Sequence, residues 1–210
     1  MLDAIAAAGI VPVVKISDAA KAAPLARALL SGGVGVIEVT FRTAAAAGAI
    51  AAIAREVPEM LVGAGTVLTR DQLSAAKTAG ARFIVSPGLD ADVVSQAQKD
   101  GLTVIPGAVT PTEICAALKL GLSVVKFFPA QIFGGPAAVK ALAAPFAGVR
   151  FVPTGGVDHT NAPEYWKIPQ VLAVGGTWMV NERSIDAGDF GAVERAAAEA
   201  AALRKGRRTC

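Results

Sequence analysis

The sequence is poor in the residues that form metal sites, disulfide frameworks and stacking surfaces. Its 210 residues include one histidine, His159, two cysteines, one tyrosine and two tryptophans. One histidine cannot form the multi-histidine sites that zinc usually occupies, and Cys115 and Cys210 do not make a disulfide framework. Scarce aromatic rings argue against stacking on nucleic-acid bases. We therefore expect no metal site and no nucleic-acid partner, and we interpret Cys115 as a core residue.

Long apolar segments are also missing. No uninterrupted apolar run approaches the roughly 20 residues that a transmembrane helix needs. The N-terminus has no basic segment followed by an apolar signal core. The sequence therefore predicts a chain that neither spans a membrane nor is exported, and the reducing cytoplasm is its expected compartment.

The excess of basic charge is confined to the C-terminus. The formal net charge is +3, and four of the 20 basic residues lie among the last eight positions: Arg204, Lys205, Arg207 and Arg208. Without these four, 16 basic residues face 17 acidic ones, so no basic surface patch is indicated. We interpret 204–210 as a basic, disordered tail that follows a single domain spanning 1–203.

Apolar residues make up 53% of the chain and follow a regular order. Short apolar segments alternate with alanine-rich segments that carry charges at helical spacing, which is typical of strands and helices in a parallel sheet. Eight such units follow a short N-terminal helix. Eight parallel strands in an open sheet would leave two unpaired edges, so we predict a single closed (β/α)₈ barrel, the TIM-barrel fold. The predicted strands are 10–15, 34–41, 60–67, 83–87, 103–109, 123–130, 150–153 and 171–174, and the last helix is 189–203.

The sixth predicted strand carries a lysine, Lys126, among valines and phenylalanines. A buried charged amine is costly unless it is paired or loses its proton, and a neutral lysine amine is a nucleophile. By the two-residue period of a strand, Phe128 shares the face of Lys126. Most strand lysines instead extend towards solvent, which is the plainer interpretation. Lys15, at the end of the first strand, is a second candidate nucleophile with less apolar neighbours.

Polar residues are concentrated where the second and third predicted strands end. Glu38, Thr40 and Arg42 share one face of the second strand, and Thr66 ends the third. In a barrel these strand ends carry the chemistry. A guanidinium, a carboxylate and the amine of Lys126 suit a ketone substrate with its own carboxylate: Arg42 and Thr66 would bind the carboxylate, and Glu38 would move protons. An ordinary ion pair between Glu38 and Arg42 is the alternative.

Two glycine pairs follow the last two predicted strands. Gly155-Gly156 comes after the seventh strand and Gly175-Gly176 after the eighth. Backbone N–H groups exposed by glycines at these positions form the recurrent phosphate site of this barrel class, so the pairs indicate a phosphorylated substrate. The alternative is that both pairs only make tight turns. His159 lies beyond the first pair, where we expect a capping or surface residue.

The segments that carry these residues resemble one enzyme family, in order and over nearly the whole chain. The family is that of bacterial 2-keto-3-deoxy-6-phosphogluconate (KDPG) and 4-hydroxy-2-oxoglutarate aldolases. The resemblance implies a homotrimeric class I aldolase that needs no metal or cofactor and cleaves KDPG to pyruvate and D-glyceraldehyde 3-phosphate. The matching segments are IEVTFRT (37–43), VGAGTVL (62–68), SPG (86–88), VKFFPA (125–130), PTGG (153–156) and GGTW (175–178).

The resemblance also implies a role for each candidate residue. Lys126 is similar to the lysine that forms the Schiff base, and Glu38 to the acid/base that acts through a water molecule. The implied substrate-binding residues are Arg42, Thr66, Pro87, Phe128, Thr154, Gly155, Gly156, Gly175, Gly176 and Thr177.

Two departures from the family pattern bear on substrate preference. Thr177 stands where members of the family have serine, and the loop Gln131–Gly135 differs near the entrance. A related aldolase for the galactonate-derived substrate therefore remains an alternative. So do a phosphosugar isomerase or epimerase with Glu38 as its base and a non-catalytic phosphoester-binding barrel.

Overall fold

Residues 1–205, which the computed structural model describes, form eight strands that alternate with helices. The strands are β1 (Ile10–Val14), β2 (Val36–Thr40), β3 (Leu61–Gly65), β4 (Phe83–Val85), β5 (Thr103–Ile105), β6 (Val124–Phe127), β7 (Arg150–Pro153) and β8 (Val174–Gly176). Six of them form a sheet in the order β5-β4-β3-β2-β1-β8, and β6 pairs with β7. All these pairings are parallel, so the predicted α/β architecture is confirmed.

Isolated bridges, not continuous ladders, connect the two sheets. They join β5 to β6 and β7 to the segment around β8: Gly107 with Lys126, Phe151 with Val171, and Thr154 with Gly175. Pro106 follows β5 and Pro153 ends β7, and neither has a backbone N–H to extend a ladder. The predicted closed sheet of eight strands is therefore observed only in part, as six strands and two strands.

Ten α-helices in the described residues precede, separate or follow the strands. They are α1 (Leu2–Ala8), α2 (Ala22–Ser31), α3 (Ala46–Glu56), α4 (Arg70–Thr78), α5 (Ala91–Lys99), α6 (Pro111–Lys119), α7 (Gly135–Ala143), α8 (Ala162–Trp166), α9 (Glu182–Ala187) and α10 (Phe190–Lys205). A capping box begins α6, where Thr110 accepts a hydrogen bond from the Glu113 N–H. The backbone N–H groups of Val109 and Thr110 donate to the Glu113 carboxylate and lower its pKa.

The eighth unit differs from the prediction. The sequence places its strand at 171–174, but β8 spans Val174–Gly176 and pairs with β1. Glycines carry no side chain for an apolar pattern to detect and are unfavourable in strands, so the pattern selects the apolar residues just before them. Helix α9 is not predicted either, because six residues with three charges show no apolar periodicity.

The end of the last helix also differs from the prediction. Helix α10 continues through Lys205 instead of ending at 203. The Arg204 guanidinium donates hydrogen bonds to the backbone carbonyl oxygens of Ala6, at 2.5 Å, and Ala7, so it stabilises the end of α1. The rest of the predicted tail, 206–210, lies outside the described residues.

Two apolar clusters lie on opposite sides of the strands. The larger one packs the helices against the sheet. The smaller one fills the interior that the strands curl around, mostly towards their N-terminal ends, and α1 contributes to it through Ile5. Its members are Ile5, Val11, Val36, Phe83, Val85, Ile105, Val124, Val152, Leu172 and Ala173. The opposite end of this interior is left for polar side chains.

The prediction that Cys115 is a core residue is wrong, because Cys115 is exposed on α6. The buried positions of that helix are Ile114 and Ala117, three residues apart, and Cys115 is turned about 100° away from Ile114. Across residues 1–205, no helix is both long and apolar enough to cross a bilayer.

Candidate active site

A buried ion pair lies at the centre of the site. The Lys126 Nζ atom donates a hydrogen bond to Glu38 Oε1 at 3.2 Å, and the two residues are 5% and 3% exposed. Lys126 belongs to β6 and Glu38 to β2, so 88 residues of chain separate them. Lys126 is therefore buried, as its apolar flanks in the sequence suggested. The sequence also placed Glu38 at a strand end, but its direct contact with the amine appears only in the fold.

Gly65 makes room for the Glu38 carboxylate. A Cβ atom at Gly65, the last residue of β3, would lie 2.1 Å from Glu38 Oε1. No side chain larger than hydrogen is therefore compatible with this position of the carboxylate. The Lys126 amine also lies over the aromatic ring of Phe128, whose centroid is 5.3 Å from Lys126 Nζ. A ring face at this distance attracts a cationic amine and shields it from water.

Thr40 links the guanidinium of the site to the sheet. The Thr40 hydroxyl donates to the Val14 carbonyl oxygen at 2.7 Å and accepts from Arg42 Nε at 3.0 Å. Thr40 is 1% exposed, whereas Arg42 is exposed at the end of β2. This contact fixes one nitrogen of Arg42 and leaves the other two free to face an anion. Sequence reasoning placed Thr40 on the correct face but gave it no role.

Thr66 occupies a strained backbone conformation beside the site. Its φ angle is 56°, in the left-handed region. A β-branched residue in this region costs about 1–3 kcal/mol, and such strain persists mainly where the surrounding structure requires it. The conformation turns the chain directly after β3, where Thr66 lines the cavity.

A cavity of about 300 Å³ opens over the Lys126 amine at the C-terminal ends of the strands. Ten of the twelve predicted site residues line it, together with three others, Val13, Thr40 and Val157. Glu38 is not in the lining, and Lys126, which lines the cavity, donates a hydrogen bond to it. Gly175 is not part of the lining: a Cβ there would lie 2.3 Å from Thr154 Oγ1, so this glycine makes space for Thr154. The predicted residues in the lining are Arg42, Thr66, Pro87, Lys126, Phe128, Thr154, Gly155, Gly156, Gly176 and Thr177.

Glycine backbone and threonine side chains line the cavity at the C-terminal ends of β7 and β8. Gly155 and Gly156 have φ angles of 95° and 74°, which larger residues rarely adopt. A Cβ at Gly156 would also meet the Gln131 side chain at 2.8 Å. The exposed hydroxyl of Thr177 lies at the same end. Close backbone approach and hydroxyl groups are features that suit a phosphate group.

The other candidate residues lie away from the amine. Lys15 is not in the cavity lining and pairs instead with Glu182, at 2.9 Å. His159 is exposed in the turn after the glycine pair, as a surface residue should be. Its neighbour Asp158 accepts hydrogen bonds from the hydroxyl and backbone N–H of Thr160, which lower its pKa. Within residues 1–205, no group of three or more histidine, cysteine, aspartate or glutamate side chains is placed to hold a metal ion.

The arrangement defines an α/β enzyme that can form an imine with a carbonyl substrate. The amine is the nucleophile, and the carboxylate at 3.2 Å can accept and return its protons.

Comparisons with known proteins agree with this class. The sequence model of the KDPG and KHG aldolase family matches residues 2–196. A 2-dehydro-3-deoxy-phosphogluconate aldolase of Treponema pallidum is 53% identical over 88% of this chain and 88% of its own. The KHG/KDPG aldolase of Escherichia coli K12 is 44% identical over 91% and 90%.

Solved structures show the same relationship. The KDPG aldolase of Legionella pneumophila, with pyruvate captured as a covalent carbinolamine intermediate, superimposes with a TM-score of 0.90. It is 38% identical, and the alignment covers 94% of this chain and 96% of that one. The chain belongs to the KDPG and KHG aldolase family. It is an aldolase, an enzyme of the lyase class that uses Schiff-base chemistry.

Proposed function

We propose that the enzyme cleaves 2-keto-3-deoxy-6-phosphogluconate to pyruvate and D-glyceraldehyde 3-phosphate, and that it also accepts 4-hydroxy-2-oxoglutarate. The observation that carries the proposal is the buried pair of Lys126 and Glu38 below a cavity of about 300 Å³. The Arg42 guanidinium lines this cavity after β2, and glycines and Thr177 line it after β7 and β8. A guanidinium suits the carboxylate of this substrate, and glycine backbone N–H groups suit its phosphate. The names of the Treponema and Escherichia relatives support the same substrate class.

The reaction begins with a proton transfer within the ion pair: Glu38 takes a proton from the Lys126 ammonium, and the neutral amine attacks the C2 ketone. A second proton passes from the attacking nitrogen to the C2 oxygen to give the carbinolamine, and the Glu38 carboxyl group then protonates the carbinolamine hydroxyl, so that water leaves. The product of this step is a protonated imine between Lys126 and C2. Arg42 and Thr66 bind the adjacent carboxylate, which holds C2 within reach of the amine.

Cleavage uses the imine as an electron sink. Glu38, directly or through water, removes the C4 hydroxyl proton. The C3–C4 bond then breaks: C4 becomes the aldehyde carbon, and the electrons of the broken bond move into the imine to give an enamine. Glu38 then protonates C3. Hydrolysis of the resulting imine releases pyruvate and restores the Lys126 amine. Phe128 and Pro87 shield the imine from bulk water during these steps.

The remaining predicted residues serve the distal phosphate. The backbone N–H groups after β7 and β8 and the Thr177 hydroxyl would donate to its oxygens. Thr154 lines the cavity beside them, and its hydroxyl donates to the Val152 carbonyl oxygen at 3.2 Å. Gly155, Gly156 and Gly176 allow the close approach that this requires. Gly175 acts indirectly, because its lack of a side chain leaves space for Thr154.

We infer further that the eight strands act as one (β/α)₈ barrel. The bridges at Gly107–Lys126 and Thr154–Gly175 support closure at both junctions. The resemblance supports a homotrimer in the cytoplasm, and Ile132 and Phe133, 82% and 48% exposed, offer apolar surface for a neighbouring subunit to cover. Sedimentation analysis of the purified chain tests the assembly, with a single trimeric species expected.

A coupled assay with the gluconate-derived and galactonate-derived substrates tests the proposed reaction. Pyruvate release should be faster for the gluconate-derived substrate. Lys126→Arg, which keeps a positive charge beside Glu38, should lower kcat by about 10⁴-fold or more, because a guanidinium forms no imine. An isomerase or epimerase with Glu38 as its base would retain much of its activity in this variant. Preference for the galactonate-derived substrate would overturn the substrate assignment alone.

A further inference from the structure

Lys15 is a basic residue beside the active site that the proposed mechanism does not use. It lines a separate recess of about 530 Å³, next to the cavity over Lys126. The two spaces share Val13, Arg42 and Thr177 in their walls, so they adjoin each other. A group that extends from the cavity past Thr177 therefore enters the recess that contains the Lys15 ammonium.

The register of β1 gives Lys15 this position. Val13 lies opposite Glu38 in β2, so Lys15, two residues later, reaches the level of Thr40 on the same face. Val13 and Thr40 both line the cavity. Lys15 is thus the next side chain outward on the β1 wall, between the β2 end that holds Arg42 and the β8 end.

The ammonium of Lys15 faces the β8 side. Its Nζ atom pairs with Glu182 Oε2 at 2.9 Å, and Glu182 lies in α9, five residues after Thr177. The two side chains are 38% and 54% exposed. Ion pairs this exposed are weak and are readily exchanged for a stronger anionic partner.

The recess has an excess of positive charge. Of the three basic side chains in its walls, Arg42 is assigned to the substrate carboxylate, which leaves Lys15 and Arg183 against a single carboxylate, that of Glu182. A phosphate at this end of the substrate carries nearly two negative charges near neutral pH. It would therefore compete effectively with Glu182 for the Lys15 ammonium.

We propose that Lys15 is a specificity-determining residue, which leaves Glu182 and pairs with the distal phosphate of the substrate. The inference rests on the proposed function and deepens it. The glycine-lined wall binds the phosphate through neutral donors, and Lys15 adds a charge that discriminates phosphorylated from unphosphorylated 2-keto acids. Glu182 acts in the opposite sense, because it holds the ammonium when no substrate is bound.

Steady-state kinetics of Lys15→Met with KDPG and unphosphorylated 2-keto-3-deoxygluconate test the proposal. We expect the KM for KDPG to rise about 10-fold with little change in kcat, because one charged contact is lost. The value of kcat/KM for the unphosphorylated substrate should change less than about 2-fold, since it has no phosphate for Lys15. Lys15→Arg should restore most of the discrimination. Glu182→Gln should lower the KM for KDPG, because Lys15 is released from its partner.

Lys77→Met is the matched control. Lys77 also forms one ion pair, with Asp100 at 2.8 Å, and lies outside both the cavity and the recess. Its removal changes the net charge equally and should leave both substrates unaffected. Competitive inhibition by inorganic phosphate gives a second readout, and Lys15→Met should weaken it by a similar factor.

Two outcomes would overturn the proposal. One is an equal fall in kcat/KM for both substrates, which would place Lys15 at the substrate carboxylate. The other is unchanged discrimination in Lys15→Met. Failure of the proposed function is distinguishable, because it would appear as absent pyruvate release in the unmodified enzyme.

Discussion

The two ends of the strand interior differ in chemistry, although the same strand provides space for both. In β3, a Cβ at Gly63 would lie 2.3 Å from the Phe83 ring, and a Cβ at Gly65 would lie 2.1 Å from Glu38 Oε1. One glycine therefore accommodates an apolar ring and the other a carboxylate. A glycine in β3 thus serves packing at one end of the interior and catalysis at the other.

The energetic consequences of the two ends are opposite. The Phe83 end is entirely apolar and gains free energy of folding from burial. The Glu38 end buries two charges, whose loss of hydration offsets most of their attraction, so the pair adds little to stability. Its geometry is maintained by the surrounding packing. Substitutions at the Phe83 end should therefore lower stability, and substitutions at the Glu38 end should lower activity.

Phe83→Ala should have the largest effect on stability. Removing a fully buried ring leaves a cavity in the apolar layer and should lower the free energy of unfolding by about 3–5 kcal/mol. Urea denaturation of this variant measures the loss. Leu118→Ala, at a residue that is 43% exposed, is the control and should be close to neutral.

The same variant should keep most of its activity. At a temperature where Phe83→Ala remains folded, its kcat should stay within about 3-fold of the unmodified enzyme, because Phe83 does not line the cavity. A large loss of kcat with intact folding would show that the two ends are not separable.

Gly65→Ala should have a smaller effect on stability and a specific effect on catalysis. The added methyl group cannot share space with Glu38 Oε1, so the carboxylate must move away from the Lys126 amine. A displacement of this size costs about 100-fold in kcat/KM.

Gly148→Ala is the matched control for this substitution. Its added Cβ would have no neighbour within 4 Å, so kcat/KM should stay within about 2-fold. If Gly65→Ala retained full activity, the position of the Glu38 carboxylate seen here would not be the catalytic one.

Much of the architecture could be predicted because it depends on local patterns. The alternation of apolar and alanine-rich segments located seven of the eight strands within a few residues. Lys126 and Phe128 were placed on one face by the strand period alone, and both line the cavity. The eighth strand was displaced because its two glycines leave no apolar signal.

The parts that could not be predicted depend on contacts between distant residues. The ion pair of Lys15 and Glu182 joins positions 167 residues apart, and Glu182 lies in a short helix without periodicity. The contact of Arg204 with the end of α1 likewise depends on the complete fold. Gly175 shows the same limit, since only the structure distinguishes a glycine that contacts ligand from one that makes space for Thr154.

Reductive trapping of the imine tests whether Lys126 is the reacting amine. The enzyme is incubated with pyruvate and borohydride, digested, and mapped by mass spectrometry. We predict a stable adduct on the peptide that contains Lys126, which Lys126→Arg abolishes. An adduct on Lys15, or no adduct on any peptide of an active enzyme, would contradict the assignment of Lys126 as the imine-forming residue.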